Sequence, residues 1–385
     1  MMLNRSSSPP PHRRAIGKDR VIVGLSIGVA IIAALLLSSL AWQWLRRRRG
    51  EAGAKKKVNK KKVLGAPQPS DEYLMVDISD LLDKYRVYQI EEIRHATSHF
   101  DRSRLIHGTV FKGVIDGQVF AIKRMRWDAT DELKILQKVN HSNLVKLEGF
   151  CIDPEENTCY LVYEYVANGS LHDWLHSSAM PHKLQWKTRL RIALDLANGL
   201  QYIHEHTWPR VVHKDIKSTN VLLDANMKAK IANFGLARSG CNAFTTRIIG
   251  TQGYVSPEYL SDGLVTTKMD VFAYGVILLE LVSGREAVNE RGEALWMSVD
   301  KVFDKRGVKR DGELRLWMDE YLVQTCCSME GVVTVLGIAR ACLNRDHSKR
   351  PSMVDVAYLL SKVEDLHSEF SGEELMVVNG EVKGR

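Results

Sequence analysis

The chain has 385 residues and a formal net charge of +8, long enough for a two-lobed domain rather than one small core. The charge is unevenly placed: residues 1–62 hold 15 Lys or Arg and 2 acids, so the remainder is net acidic. That excludes a basic nucleic-acid-binding body, which would concentrate Lys and Arg on the binding domain itself.

Residues 1–20 are rich in Ser and Pro and too short for a folded domain. Val21 to Leu45 is an uncharged stretch of 25 residues, enough to cross a hydrocarbon core of about 30 Å as a helix. A cleaved signal peptide would have a shorter apolar region, about 7–15 residues, and a small-residue cleavage site. Trp42 and Trp44 stand at the C-terminal end, where indoles favour the interface, and Arg46 to Arg49 follow at once. The larger basic cluster lies after the span, which predicts a single-pass plasma-membrane protein with its C-terminal body in the cytoplasm. Residues 46–84 form a basic juxtamembrane linker, whose basic run 46–62 reads as a stop-transfer signal that also suits anionic lipid. The six cysteines lie after the span with no paired CxxC spacing, so a zinc site is not expected, and cytosolic thiols should be reduced.

The body begins near Tyr85. Ile90, Ile93 and Phe100 lie at roughly helical spacing and predict a short leading helix. Two apolar runs flank Asp116-Gly117, a hairpin signal. The second run, VFAIK, places Lys123 at the end of a strand, where a phosphate-holding Lys would sit. A lone Lys is ordinarily a solvated surface residue; later motifs give it weight. Glu132 on the next helix is its expected partner, and the short link between them predicts a helix shortened at its N-terminus. The strand LVYEYV would be the hinge of an adenine pocket, with Tyr163 at its inner end and Glu164 to Val166 offering backbone groups.

The most specific stretch is VVHKDIKSTNVLLD. His-x-Asp, with Lys two residues after the Asp and Asn five after it, is the protein-kinase catalytic loop. Asp215 would accept a substrate hydroxyl proton, Lys217 would steady the γ-phosphate, and Asn220 would hold Mg²⁺. AKIANFGLA, GTQGYVSPEYL, MDVFAYGVILLEL and HSKRPSM follow in order. Ser256-Pro257-Glu258 is an A-P-E variant; Glu258 and Arg350 are expected to pair, and Asp270 to brace the catalytic loop beside His213. The fold expected is an α+β two-lobed protein-kinase fold, with a β-rich N-lobe (about 85–165) and an α-helical C-lobe (about 169–370) in a domain of 85–372, before a tail of 373–385.

Residues 85–370 resemble the cytoplasmic domain of plant receptor-like kinases. HKDIKSTNVLLD, AKIANFGLARSGCNAFTTRIIGTQGYVSPEYL and SGREA look most like lysin-motif (LysM) receptor-like kinases, in the branch with atypical kinase domains. The resemblance covers roughly three quarters of the chain. It implies ATP as the nucleotide, with Gly108, Val110, Ala121, Lys123, Glu132, Glu164, Val166 and Leu222 around it. It also implies an activation segment containing Phe234, Gly235, Thr245, Thr246, Thr251 and Glu258. An active co-receptor kinase is the partner implied. The family binds glycans through extracellular LysM domains; this sequence contains none, so a glycan ligand is not carried over.

Three departures matter. Counting back from Val110-Phe111-Lys112-Gly113 puts the family's phosphate-loop glycines at Ser103, Leu105 and Gly108, so only the last is Gly. The D-F-G motif reads Asn233-Phe234-Gly235, which lacks the anionic Mg²⁺ ligand and should weaken the metal. The catalytic-loop Arg is Lys214, which lacks the planar fork. Three functions follow as expectations: a membrane-anchored pseudokinase acting through a partner kinase, a weakly active Ser/Thr kinase, or an ectodomain-less dominant-negative fragment.

Overall fold

The computed structural model describes residues 84–126, 131–241, 243–300, 308–325 and 328–364. The chain divides into two units, Met1–Asp71 and Glu72–Arg385, and every described residue lies in the second. The apolar stretch 21–45, the basic linker up to residue 83 and the tail 373–385 lie outside the described residues. Among the described residues no helix is long and apolar enough to cross a membrane.

The first lobe is a six-stranded sheet. Its strands are β1 (Arg86–Val87), β2 (Leu105–His107), β3 (Val110–Ile115), β4 (Gln118–Arg126), β5 (Leu147–Asp153) and β6 (Thr158–Glu164), in the order β1-β5-β6-β4-β3-β2. β1 runs parallel to β5, and the other pairs are antiparallel. Asp116 and Gly117 turn β3 into β4 with φ of 51° and 79°, both positive as a two-residue type I′ hairpin requires. Ile122, Leu161 and Val162 are fully buried, and side chains of this kind each contribute about 1.5–3 kcal/mol on burial.

Before the sheet, helix α1 (Ile90–Ala96) starts at a capping box between Gln89 and Glu92. The helix ends earlier than the spacing of Ile90, Ile93 and Phe100 predicts. Ser98, His99 and Phe100 all take positive φ, from 52° to 59°, and this left-handed turn carries Phe100 back onto the sheet. There its ring stacks on Tyr160 and meets Phe111 edge-on. Helix α2 (Asp131–Leu136) is short and supplies Glu132.

The second lobe is helical. Its elements include α3 (Leu171–His176), α4 (Trp186–Glu205), α5 (Pro257–Asp262), α6 (Thr267–Ser283) and α9 (Met329–Cys342), with α7 (Val308–Trp317) and α8 (Glu320–Gln324) between the last two. Every residue of α6 from Met269 to Ser283 is buried, as expected of a helix apolar all round at the centre of a lobe. A Cβ on Gly275 would lie 2.9 Å from Cys342 Cβ, so its absence lets α6 and α9 approach closely. Short hairpins carry the chemistry: β7 (Val211–Val212), paired with β10 (Arg238–Ser239), leads into the catalytic loop, and β8 (Val221–Leu223) pairs with β9 (Ala229–Ile231) before Asn233. Cys151, Cys159 and Cys342 are buried free thiols, pushed up to about 11, 12 and 12 chiefly by burial.

Candidate functional site

Lys123 and Glu132 meet. Lys123 Nζ donates to both Glu132 oxygens, at 2.9 and 2.6 Å, and to Asn233 Oδ1 at 3.2 Å. Glu132 is 3% exposed. Its Oε1 also accepts from Tyr163 OH at 2.9 Å. Burial, and then the Glu132 charge, raise the Tyr163 phenol well above its ordinary value, so it stays a donor. The sequence reading placed Tyr163 only at the inner end of the hinge; its bond to Glu132 joins residues 31 apart in the chain, which no local pattern encodes.

Around the expected adenine position, Ala121 and Lys112 are cross-strand partners, as are Val110 and Lys123. Val166 is buried, while Leu222 lies half-buried on β8. Glu164 is held by its carboxylate, which accepts from Lys146 N and Lys230 Nζ, both at 2.8 Å. Lys112 Nζ stands 4.9 Å from the Tyr165 ring centroid, across from β3 to the hinge.

The phosphate loop differs from the expectation. Ser103 lies in a 3₁₀ turn (Arg102–Arg104), its N–H capped by Asp101. Leu105 is a strand residue opposite Phe111. β2 passes to β3 through Gly108 and Thr109 alone, with φ of +54° at Gly108. Thr109 O accepts from Arg124 N at 2.9 Å, which ties the turn into the sheet. Leu105 therefore does not sit at the middle of a substituted glycine loop. The loop is replaced by a tight hairpin end, and a count of residues could not show this because it assumes a loop of family length.

The catalytic loop is ordered by Asp270, which is 1% exposed. Its oxygens accept from His213 N and Lys214 N at 2.8 Å each and lie 2.9 Å from His204 Nε2. Burial lowers the His213 imidazole below its ordinary value despite Asp270 and Asp215 nearby. The neutral ring donates from Nε2 to Ala232 O at 3.1 Å and accepts from Asp215 N at Nδ1. Phe234 packs edge-on against it, 4.8 Å between centroids. Lys214 has φ of +70° and its ammonium lies 5.7 Å from the Tyr259 ring centroid.

Asp215 is held on all sides. Asn220 Nδ2 donates to its Oδ2 at 2.8 Å and its backbone O at 2.7 Å, Thr251 Oγ1 donates to its Oδ1 at 3.0 Å, and Lys217 Nζ lies 3.2 Å from Oδ2. Lys217 also donates to Thr251 Oγ1 at 2.8 Å. The three activation-segment threonines thus separate. Thr251 belongs to the catalytic cluster. Thr245 pairs with Gly263 beside β11 (Ala243–Phe244) and β12 (Leu264–Val265), and Thr246 is exposed. Asn233 has φ of +67°; its Nδ2 lies 3.3 Å from Asn220 Oδ1 and 3.5 Å from Asp215 Oδ2. Gly235 follows it beside Lys123 and Glu132.

Glu258 and Arg350 form a two-pronged pair, 2.7 Å on each arm, with Arg350 2% exposed. The sequence reading missed Glu280, fully buried in α6, which takes Ser218 Oγ at 2.9 Å and Tyr254 OH at 2.7 Å and lies 3.2 Å from His176 Nε2. Its signal was a second acid, ten residues after Asp270, within the apolar run of the helix. Among the described residues no group of three or more His, Cys, Asp or Glu could hold a metal ion.

The protein kinase domain family matches residues 106–359. Among known proteins, Protein LYK5 of Arabidopsis thaliana is 39% identical over 300 residues, covering 74% of this chain and 44% of that protein. LysM domain receptor-like kinase 3 of A. thaliana is 37% identical over 326 residues, covering 78% of this chain and 49% of the relative. The Medicago truncatula protein of the same name is 36% identical over 318 residues, with 78% and 50% covered. The chain spans about half the length of these relatives.

Proposed function

Because this chain belongs to the protein-kinase family, with a kinase domain of the LysM receptor-like kinase type, we propose that it is a pseudokinase: a membrane-anchored receptor-like protein that signals by docking to an active partner kinase. Protein kinase domains in general use ATP and Mg²⁺, and this site departs from both requirements. The observation that carries the reading is the Gly108-Thr109 turn. Phosphoryl transfer relies on positioning and electrostatic stabilisation of the phosphates. A hairpin end tied to β4 offers no run of backbone N–H groups to cradle them.

The metal end supports the same reading. Mg²⁺ is a hard ion that binds through carboxylates and phosphates. The residues in its place, Asn220 and Asn233, are both carboxamides, and the nearby carboxylate of Asp215 is already engaged by Lys217, Thr251 and Asn220. The donor set does not fit a resident Mg²⁺. What the chain retains is the conformation of a kinase: the Lys123–Glu132 pair, Phe234 buried against His213, and the Glu258–Arg350 clamp. These interior contacts keep the domain in a kinase-like shape that a partner could recognise without any chemistry by this chain.

The stretch 21–45 would anchor the protein in the plasma membrane with the kinase domain in the cytoplasm. Similarity to two LysM domain receptor-like kinases supports a place among such receptors; a glycan ligand is not assigned to this chain. Replacement of the wild-type chain in its own cells by an Asp215→Asn chain tests the reading. Retained signal output is expected at normal protein level, since Asn keeps the shape and its Oδ1 still accepts from Thr251, while Asn220 and Lys217 turn away from the new N–H₂. Loss of output with normal protein level would overturn it and favour a weakly active Ser/Thr kinase.

A further inference from the structure

The carboxamide of Asn233 makes contacts with a fixed polarity. Its Oδ1 accepts from the Lys123 ammonium at 3.2 Å, and its Nδ2 donates to Asn220 Oδ1 at 3.3 Å. Asn220 in turn donates from Nδ2 to Asp215 Oδ2 at 2.8 Å. The bonds run in one direction, from a cation through two amides to an anion, and hydrogen bonds in such a series polarise one another. Flipping the Asn233 amide would face N–H to ammonium and oxygen to oxygen, so its neighbours fix the orientation.

Lys123 has three N–H donors and three acceptors: the two Glu132 oxygens and Asn233 Oδ1. The charges also close. Lys123 and Lys217 balance Glu132 and Asp215, each cation within 3.2 Å of its carboxylate. A divalent cation entering alone would add uncompensated positive charge, and with or without a nucleotide it would meet the Asn233 N–H where it needs an oxygen.

We propose that the Asn233 amide takes the place of the divalent cation, so that this site admits only metal-free ligands, and any adenine nucleotide binds without Mg²⁺ or Mn²⁺. This rests on the pseudokinase reading but goes beyond it: a site that has merely lost affinity for metal would still respond to metal at high concentration, whereas the relay between Lys123 and Asp215 must break to admit one.

The test uses the full chain in detergent micelles. Thermal unfolding is followed in four conditions: EDTA alone, Mn²⁺ alone, ATP with EDTA, and ATP with excess Mn²⁺. The wild type is expected to unfold at the same temperature in ATP with EDTA and ATP with Mn²⁺, within 1 °C or so. Asn233→Asp, which swaps the donor for a carboxylate and suits the same positive φ, is expected to gain several degrees in ATP with Mn²⁺ only. A wild-type gain specific to Mn²⁺ with ATP would overturn the proposal. So would an Asn233→Asp chain as blind to metal as the wild type, since something other than the amide would then exclude the ion. Phosphate transfer is not the readout: a metal-blind wild type that nevertheless transferred phosphate would sink the functional reading alone, and a metal-responsive wild type that transferred none would sink this one alone.

Discussion

If Lys123 serves the fold rather than a nucleotide, its removal should be felt as stability. Lys123→Met leaves the carboxylate of Glu132, 3% exposed, with Tyr163 OH as its remaining hydrogen-bond donor. Breaking a buried pair by removing one partner costs about 3–5 kcal/mol. Lys123 is 19% exposed on its side chain, and the Tyr163 bond survives, so about 2–3 kcal/mol is the reasonable figure. For a domain of this size each kcal/mol shifts the unfolding midpoint by about 2–4 °C, giving a loss of roughly 5–10 °C. The double variant Lys123→Met with Glu132→Gln removes both charges while keeping an acceptor for Tyr163 OH, and should regain much of the loss because no uncompensated charge stays buried. Scanning fluorimetry of the two variants beside wild type, without nucleotide, measures both effects. A Lys123→Met chain as stable as wild type would refute the reasoning, as would a double variant no better than the single one.

Other outcomes follow from particular contacts. His99 is exposed and held at φ of +57° between two other left-handed residues; His99→Gly should raise stability by about 1 kcal/mol in urea unfolding, because Gly adopts that region freely. Gly263 has φ of +67°, and a Cβ there would strike Thr245 O; Gly263→Ala should open the β11–β12 pairing, seen as faster hydrogen exchange in residues 243–249. Burial raises the Glu258 carboxyl, but the bonds and charge of Arg350 outweigh it and hold the group below its ordinary 4.5. A carboxylate depressed in the folded state adds stability above its unfolded value and loses it as pH falls through the folded one. Acid unfolding below about pH 4.5 should therefore draw on this pair, and Glu258→Gln should weaken that dependence while destabilising the domain at pH 7. Alkylation with iodoacetamide at pH 8, mapped by peptide, should leave Cys151, Cys159 and Cys342 unmodified in the folded chain, since burial keeps them as thiols.

What could be read from the sequence was what spacing encodes. His213, Asp215, Lys217 and Asn220 lie within one short loop, and their order alone carries their grouping. The Asp116-Gly117 turn was legible because two consecutive positive φ values favour such a pair. The Gly108-Thr109 turn was not, since shortening a hairpin leaves both flanking strands unchanged and only the count in error. Phe100 was placed on a helix by its spacing; three left-handed residues, none of them Gly or Asn, put it on the sheet instead. Tyr163 and Glu280 act through contacts between elements far apart in the chain, and no periodicity reports those.

The most direct measurement is transfer of γ-phosphate by the full chain, at stoichiometric enzyme and ATP, to itself and to a generic basic substrate, with Mg²⁺ and then Mn²⁺. Wild type, Asp215→Asn and Asn233→Asp are compared side by side. A pseudokinase gives no incorporation above the Asp215→Asn background in either metal. Incorporation by wild type that disappears in Asp215→Asn would contradict it and make this chain an active kinase.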